Sequence, residues 1–314
     1  MPNPLKDIWK APQALLSPVG GLGDKLKVLG LNLSTRGSAD PDETESQPYN
    51  STVSFLKEYG FSDKMVESFF VPFFRGVFLE RDLKTSAELF RFLYSQFAKG
   101  DVVVPENGMQ EIPKQIAADF EEHQVKLGKR VARIDGRTVQ LEDGEAIEAD
   151  RIVVATDATT ADKLLGVDSE TSFNKTECMY FVSDTSLDLD GDPYLIINSN
   201  ENEIIDHIFP ASAVVPGYAP RGKTLISVNI VGDKQYDEET VRSELKEWFG
   251  TKHSWKHLRT YAIPEALPQY LGSTPSNGEY QVNDFTYRCG DYMAYPSLNA
   301  AMKTGRKVAE MLAA

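Results

Sequence analysis

The chain has 314 residues, and its 47 acidic against 33 basic side chains give a formal net charge of −14. No long basic block interrupts this acidic excess, so nucleic-acid binding is not expected and an anionic membrane surface would repel the chain. No apolar run reaches the ~18 residues of a membrane span, and the amino terminus lacks the apolar stretch of a signal peptide. Only Cys178 and Cys289 are present, which excludes a disulfide framework and a structural zinc site. We therefore expect a soluble, cytoplasmic protein of two domains, or of one large interrupted domain.

The first hundred residues are predicted to be mainly helical. Ser62 is expected to cap a very apolar helical segment, and Pro72 must break or kink it because proline lacks the backbone N–H that a helix interior uses. The clearest helix follows, with Thr85 and Glu88 as a capping box at its start and Gly100 as a left-handed end. This region therefore forms the helical part of the predicted structure.

After residue 100 the sequence pattern changes from helix to strand. The run of three valines at 102–104 predicts a short buried strand, because β-branched apolar runs of this length are typical of such strands. More strand signals follow from residue 124 to residue 155, with Asp135-Gly136 and Asp143-Gly144 as predicted hairpin turns. A short helix then ends at Gly166, so this stretch is predicted to be an α/β layer.

Beyond residue 166 strands predominate until a predicted helix from Asp237 to Trp248, and the chain ends with a strand and a helix from about Ser297 to Leu312. The pattern predicts a mixed α/β fold in which two kinds of region interleave along the chain. In chain order we expect a helical region over 1–100, the middle segment of the α/β layer over 101–166, a sheet with one helix over 167–252, and the last segment of the α/β layer over 253–314.

The strongest functional signal is RCGDYMAYPSLNAAMKTGR, residues 288–306. A predicted strand leads into Gly290 and Asp291, and after a short loop a helix begins near Ser297. The unpaired N–H groups and partial positive charge of a helix start suit an electron-rich carbonyl, such as the C2 oxygen of a reduced flavin, and the Asp291 carboxylate suits ribityl hydroxyls. The alternative is a glycine turn before a packing helix, with Asp291 as a solvated cap. The candidate binding residues in this motif are Gly290, Asp291, Ser297, Leu298, Asn299 and Ala301.

Two further segments carry weaker signals. The segment IEADRIVVATDA, residues 147–158, joins an acidic residue, an apolar strand and a small-residue turn, which favours the approach of a dinucleotide at Ala155 and Thr156. The segment KLGKRVARI, residues 126–134, would bring the main chain of Val131 to an adenine edge. Each segment also has an ordinary interpretation, because a plain buried strand produces the same pattern.

Taken together and in this order, the segments resemble the flavin-dependent amine oxidase superfamily. Within it they are most similar to the carotenoid (phytoene) desaturase-like and protoporphyrinogen-oxidase-like NAD(P)/FAD-dependent oxidoreductases. Nearly the whole chain is covered, with Asn107 and Ala300 standing where the family commonly has glycine. The matching segments are SPVGGLGDKLKVLGL (17–31), FFVPFFRGVFLERDLKTS (69–86), PENGMQEIPKQIA (105–117), WKHLRTYAIPEALP (255–268) and GDYMAYPSLNAAMKTGR (290–306).

The resemblance implies a fold and a chemistry. The fold is a FAD/NAD(P)-binding, Rossmann-like layer interleaved with a helical plus mixed-sheet substrate domain. The cofactor is FAD, and the reaction is hydride transfer from a C–H or C–N bond of a small or apolar substrate to flavin N5. The cofactor carries this chemistry, so no general base is assigned among the side chains.

One family feature is missing from the printed sequence. The family begins with a βαβ unit whose G-x-G-x-x-G turn holds the FAD pyrophosphate, and the sole candidate here, GGLGDKL at 20–26, is predicted to be a loop. We therefore expect a Rossmann-like layer that is incomplete at its amino terminus, weak FAD binding, and an open sheet that favours self-association or a partner chain. A second function stays open: a truncated or non-catalytic chain that keeps the family shape as a partner or remnant.

No metal site is predicted, and one arginine has two interpretations. His253 and His257 have a spacing of four residues, but their neighbours favour a strand rather than a helix, which makes a metal pair improbable. Arg75, in an aromatic segment, either faces a substrate carboxylate or is a paired charge at a helix bend.

Overall fold

The fold is that of a computed structural model, which describes residues 19–41, 48–168, 171–187, 189, 195–272 and 280–314. In these ranges the helices are α1 (Leu22–Thr35), α2 (Thr52–Glu58), α3 (Asp63–Met65), α4 (Val71–Phe78), α5 (Ala87–Lys99), α6 (Glu111–Ala117), α7 (Ala158–Leu165), α8 (Ala211–Val214), α9 (Glu238–Phe249) and α10 (Leu298–Ala313). The strands are β1 (Val131–Asp135), β2 (Thr138–Leu141), β3 (Ala146–Glu148), β4 (Ile152–Val154), β5 (Phe173–Ser183), β6 (Ile196–Ile197), β7 (His207–Phe209), β8 (Thr224–Val231), β9 (Lys256–Pro268) and β10 (Thr286–Arg288). None of these described helices has the length and apolar character needed to cross a bilayer.

The chain forms two compact units, and both are assembled from separate stretches of sequence. Unit 1 takes the described parts of Met1–Ala39, Tyr49–Met109 and Asn174–Leu267, and unit 2 takes those of Asp40–Pro48, Gln110–Phe173 and Pro268–Ala314. The sequence predicted changes of region at residues 101, 167 and 253, whereas the units change after residues 109, 173 and 267. The last difference has a clear cause: β9 is a neighbour of β5 in one sheet, so residues 253–267 stay with unit 1.

Unit 1 contains a five-stranded sheet with the strand order β6-β7-β8-β5-β9. β6 pairs antiparallel with β7, β7 with β8, and β8 with β5, where Met179 lies opposite Val228. Burial alternates along β8, as expected for a strand with one face on a core. That face packs with α9 in an apolar cluster that includes Phe181, Val241 and Leu245.

The helices of unit 1 pack around aromatic side chains. Phe70, Phe74 and Phe90 are buried, and the ring centroids of Phe74 and Phe90 are 4.7 Å apart. The kink predicted at Pro72 takes the form of a π-helical turn, Val66–Phe70, between α3 and α4. Pro72 itself lies in the first turn of α4, where a missing N–H is tolerated.

Arg75 is a paired and buried charge, which is one of the two interpretations that the sequence allowed. Its Nη1 atom donates to Asp206 Oδ1 at 3.0 Å, and both residues are 1% exposed. Arg81 Nη2 contacts the two oxygens of Asp206 at 3.0 and 2.9 Å, and Lys234 Nζ lies 3.5 Å from Oδ2. The Asp206 carboxylate is therefore shared by three cationic side chains.

Two predictions about the ends of α5 are wrong. Its N-cap is Ser86, whose hydroxyl accepts from Glu88 N at 3.2 Å. Thr85 lies one residue before this cap, and its backbone N–H donates to Glu80 Oε1 at 2.6 Å. Gly100 ends the helix in an extended conformation with φ −121°, rather than a left-handed one.

Two predicted strands do not form. Residues 102–104 are irregular, with Val102 79% and Val103 80% exposed. In the other predicted strand, 124–127, Gln124 ends a 3-10 turn, Glu122–Gln124, and residues 125–127 are irregular. A β-branched run needs a pairing strand and a surface to cover it, and sequence composition alone supplies neither.

Unit 2 contains two small sheets. β1, β2 and β3 form antiparallel hairpins whose turns are the predicted Asp135-Gly136 and Asp143-Gly144, and both glycines have positive φ. β4 and β10 form a parallel pair. Ile152 and Val154 of β4 are buried together with Ala161 of α7, so the parallel pair and this helix share one core.

Candidate functional site

Two of the segments selected from the sequence meet at the carboxyl ends of two parallel strands. Val154 of β4 lies opposite Arg288 of β10, and the next residue after β10, Cys289, donates its N–H to Val154 O at 3.0 Å. Ala155 and Thr156 therefore leave the sheet beside Gly290 and Asp291. In open α/β sheets, ligands bind at this carboxyl edge. The structure thus joins four predicted site residues at a place that suits a ligand.

Gly290 allows the loop after β10 to lie close to the Tyr292 ring and to the backbone of Thr156. A Cβ atom at this position would lie 2.3 Å from Tyr292 Cε1 and 3.3 Å from Thr156 O. Its backbone N and O are each 3.1 Å from the Oγ1 atom of Thr304, a buried residue of α10. Thr304, which no sequence motif indicated, therefore fixes the loop against α10.

Asp291 is a half-buried carboxylate beside a second one. Burial raises its pKa, the nearby charge of Asp157 acts in the same direction, and a hydrogen bond from the Tyr292 backbone partly opposes both. Asp157 is the N-cap of α7 and accepts from Thr160 N at 2.8 Å. Two carboxylates at one edge accept hydrogen bonds from hydroxyl groups and disfavour a phosphate.

The start of α10 forms the other side of the motif. Ser297 is its N-cap, as predicted, and the serine hydroxyl accepts from Ala300 N at 3.0 Å. Leu298 and Asn299 are exposed, and Ala301 is half-buried. The first backbone N–H groups of a helix have no partner inside the helix and carry its positive end, so this turn can donate to a carbonyl.

A hydrogen-bonded chain fixes the start of α10. Asn299 Nδ2 donates to Tyr295 Oη at 2.8 Å, and that hydroxyl donates to Asp40 Oδ2 at 2.8 Å. Lys303 Nζ lies 2.9 Å from the same carboxylate oxygen. Burial, together with donation to Asp40, raises the pKa of Tyr295 to about 12, so its hydroxyl stays protonated. The side chain of Asn299 thus has a structural partner in Tyr295. The next contact, from Tyr295 to Asp40, has no local signal in the sequence because Asp40 is distant along the chain.

Val131 does not belong to this carboxyl edge. It lies in β1 of the three-stranded sheet, half-buried and opposite Leu141 of β2. The same sheet packs beside α7, since Ile134 and Val139 contact the core that contains Ile152. The structure therefore places Val131 in unit 2 but in a different sheet from the other candidate residues.

The glycine-rich turn at Gly20-Gly21 is closed by a carboxylate. The loop predicted over 20–26 is wrong from Leu22 onward, where α1 begins. Asp24 accepts from Gly21 N at 2.8 Å, and Ser62 donates to it through its N–H at 2.8 Å and its hydroxyl at 2.7 Å. Burial acts to raise the pKa of Asp24, but these hydrogen bonds outweigh it and the pKa is lowered. The Asp24 carboxylate therefore satisfies this turn in its ionised form, and its negative charge disfavours a phosphate here.

Several solved structures share this fold. They include an oxidoreductase from Methanosarcina mazei (TM-score 0.68, 17% identity, 92% of this chain and 73% of that chain), reduced UDP-galactopyranose mutase (0.61, 12%, 93% and 73%) and the PF1083 protein from Pyrococcus furiosus (0.64, 14%, 89% and 71%). At these identities the likeness establishes the fold, and it confirms the predicted α/β class. No curated protein sequence matches the chain.

The sequence also matches a family as a whole. The model of the family described as flavin containing amine oxidoreductase matches residues 3–313, which span both units. The match confirms the resemblance that the five sequence segments carried. This chain belongs to the flavin containing amine oxidoreductase family.

Proposed function

We propose that the chain is a FAD-dependent oxidoreductase whose flavin site is the carboxyl edge of β4 and β10 with the start of α10. One observation carries the proposal: in a member of a flavin family, Thr156, Asp291 and the first turn of a long helix occur on adjoining segments of unit 2. When bound, FAD would supply the oxidising chemistry, as acceptor of a hydride from a C–H or C–N bond of the substrate.

The residues present fit the ring and sugar end of a flavin. The Asp291 carboxylate would accept from ribityl hydroxyls, and the N–H groups of Leu298 and Asn299 would donate to a ring carbonyl. The backbone around Ala155 and Thr156, after β4, would line the same carboxyl edge beside the end of β10. The Tyr292 hydroxyl is a buried polar group with no hydrogen-bond partner in the described part of the chain, as expected of a group that faces a ligand.

The remaining candidate contacts are part of the same proposal. Ala301, half-buried in the first turns of α10, leaves room for the flat ring system. The main chain of Val131 would meet the adenine edge. Both assignments rest on the resemblance to the family and on the position of these residues in unit 2.

The finer identity of the reaction is also proposed from the resemblance. We assign a small or apolar substrate, a likeness to the carotenoid desaturase-like and protoporphyrinogen-oxidase-like members, and a cytoplasmic location, which two free cysteines support. The aromatic segment around Phe70 and Phe74 does not support an apolar pocket, because these two rings are core.

A second candidate function is a family member that keeps the shape without stable flavin binding. The turn at Gly21 favours it, because Asp24 already accepts from the Gly21 N–H and its negative charge disfavours a phosphate at this helix start. This candidate predicts a folded chain with no measurable flavin affinity.

Flavin titration separates the two candidates. We expect the purified chain to quench the fluorescence of added riboflavin and FAD with weak, saturable affinity. Asp291→Ala removes a charged acceptor worth ~1.5–3 kcal/mol, so the dissociation constant should rise on the order of 10- to 100-fold. Asp284→Ala is the matched control, because Asp284 precedes the same strand at its amino end and is exposed.

Each outcome has one meaning. If Asp291→Ala weakens binding and Asp284→Ala does not, the carboxyl edge is the flavin site. If both variants bind as the unchanged chain does, the loop after β10 only packs against α10 and the assigned site is wrong. If the folded, unchanged chain binds no flavin, the second candidate is correct.

A further inference from the structure

Unit 1 contains a cavity that the flavin site does not include. Its volume is about 360 Å³, within the range of small-ligand sites, and it lies where β5, the loop after β8, the start of α9 and β9 meet. Its lining includes Glu177, Tyr236, Glu238, His257 and Thr260. Three of these side chains, Thr260, His257 and Glu238, are linked to one another by polar contacts.

A hydroxyl, an imidazole and a carboxylate follow one another in hydrogen-bond contact. His257 Nε2 lies 2.9 Å from Thr260 Oγ1, and His257 Nδ1 lies 3.1 Å from Glu238 Oε2. An ionised carboxylate can only accept, so Glu238 holds the imidazole proton on Nδ1 and leaves Nε2 to accept the threonine hydroxyl. This is the order of groups that activates a hydroxyl nucleophile in acyl-transfer enzymes.

Two members of the group, Glu238 and His257, are held in place by further contacts. Arg242, one turn further along α9, donates to the other oxygen of Glu238. The His257 ring packs against Phe181 of the sheet core, with centroids 5.4 Å apart. Glu238 and His257 come from different elements, α9 and β9, so the fold rather than local sequence brings them together. Side chains fixed in this way are preorganised for chemistry.

We propose that Thr260 is the nucleophile of a second site, which hydrolyses small carboxylic esters. His257 Nε2 takes the hydroxyl proton while Thr260 Oγ1 bonds to the ester carbonyl carbon. The bond from that carbon to the alcohol oxygen breaks, and His257 returns the proton to the departing alcohol. Water then attacks the acyl-threonine, giving its proton to His257, and the carboxylic acid leaves as Thr260 regains its hydroxyl.

The charges around the cavity determine whether an anionic, neutral or cationic ester is favoured. Glu177 adds a second carboxylate, which accepts from the Tyr236 hydroxyl. The Lys234 ammonium is directed away from these carboxylates, because its Nζ atom lies 3.5 Å from Asp206 Oδ2 and donates to the carbonyl oxygens of Glu203 and Ile204 at 2.6 and 2.8 Å. The site is therefore expected to accept neutral or cationic esters and to disfavour anionic ones.

Acylation by p-nitrophenyl acetate tests this proposal. We expect release of nitrophenolate and a single acetyl group on Thr260, located by peptide mass mapping. Thr260→Val should abolish that acetylation, because it removes the hydroxyl that is acylated. His257→Gln should slow it by on the order of 100-fold or more, since general-base assistance is worth that much. Thr260→Ser keeps the hydroxyl and should stay reactive. His123→Gln is the matched control, because His123 lies 3.3 Å from Glu121 in an exposed pair outside the cavity.

The readouts distinguish a catalytic from a structural role. A folded Thr260→Val chain that melts as the unchanged chain does yet loses the acetyl group supports the proposal. If Thr260→Val fails to fold, a Thr260→Ser chain that carries its acetyl group at position 260 supports it instead. Acetylation spread over lysines, with the same nitrophenolate release from Thr260→Val and the unchanged chain, would overturn it. Loss of reactivity in His123→Gln equal to that in His257→Gln would overturn it as well.

Discussion

At the scale of single residues, Gly76 shows how closely two parts of unit 1 approach. It lies in α4, and a Cβ atom there would be 2.6 Å from His207 Cε1 and 2.8 Å from both ring nitrogens. His207 is buried, and its Nε2 atom is 2.7 Å from Pro72 O, so the ring has little freedom to move away. The imidazole therefore occupies the space that any larger side chain would need.

A pair of glycine substitutions measures this contact. Gly76→Ala gains about 1 kcal/mol of helix propensity, but overpacking of a filled core costs ~1–3 kcal/mol, so we expect net destabilisation of up to about 2 kcal/mol. Gly305→Ala in α10 is the control, because a Cβ there meets no heavy atom within 4 Å. It should stabilise the chain by ~0.5–1 kcal/mol in urea denaturation. Equal stabilisation by both substitutions would show that His207 moves freely.

At the scale of secondary-structure elements, those with marked ends could be predicted from sequence. Asp157 and Asp237 cap α7 and α9, and Gly166 and Gly250 follow their last residues, so local hydrogen bonds define these boundaries. The final helix was predicted equally well, since Ser297 is its cap. Elements that depend on partners distant along the chain were harder to predict from the sequence.

The candidate site likewise has features that the local sequence predicts and contacts that it does not. The strand ends at Thr156 and Gly290 could be predicted because each follows an apolar strand with small residues. Their proximity has no local signal, because it depends on parallel pairing of β4 with β10 across more than a hundred residues, and only the resemblance to the family predicted that the two segments share one layer. The same holds for Thr304 against Gly290 and for Asp40 against Tyr295. These contacts leave no local signal in the sequence.

The parallel pair itself leads to a prediction about association. β4 and β10 are the whole of their sheet in the described ranges, and Val153 points away from the core with 40% of its surface exposed. Parallel sheets are normally covered on both faces. We propose that a second copy or a partner chain covers this sheet, and we expect the purified chain to form oligomers at micromolar concentration.

Light scattering tests this expectation. Val153→Lys places a charge on the open face and should shift the chain towards the monomer. Leu127→Lys adds the same charge at an exposed position in the loop before β1 and should leave the oligomers unchanged. A chain that is monomeric before any substitution, and melts cooperatively, would show that the sheet needs no cover.

At the scale of the whole molecule, buried histidines make stability depend on pH. Burial lowers the pKa of His207, and the nearby charge of Arg75 acts in the same direction, while Pro72 O and Asp206 partly oppose them. Burial also lowers the pKa of His253, with a further contribution from Lys252. Both histidines stay neutral in the folded chain at a pH where the unfolded chain, with an ordinary pKa of about 6.5, begins to bind protons.

The sign of the pH effect follows from this difference. Below about pH 6.5 the unfolded state binds more protons than the folded state, so the free energy of unfolding falls as pH falls towards the folded pKa, by at most about 1.4 kcal/mol per pH unit for each histidine. His207→Gln keeps a donor for Pro72 O but cannot take up a proton, so the slope between pH 7 and pH 5 should decrease. At pH 8 residue 207 is uncharged both in the unchanged chain and in the His207→Gln variant. Urea denaturation at this pH therefore gives the packing cost of the substitution separately. If the slope of the Gln variant matches that of the unchanged chain, the acid sensitivity arises from other groups, and His253→Gln is then expected to remove it.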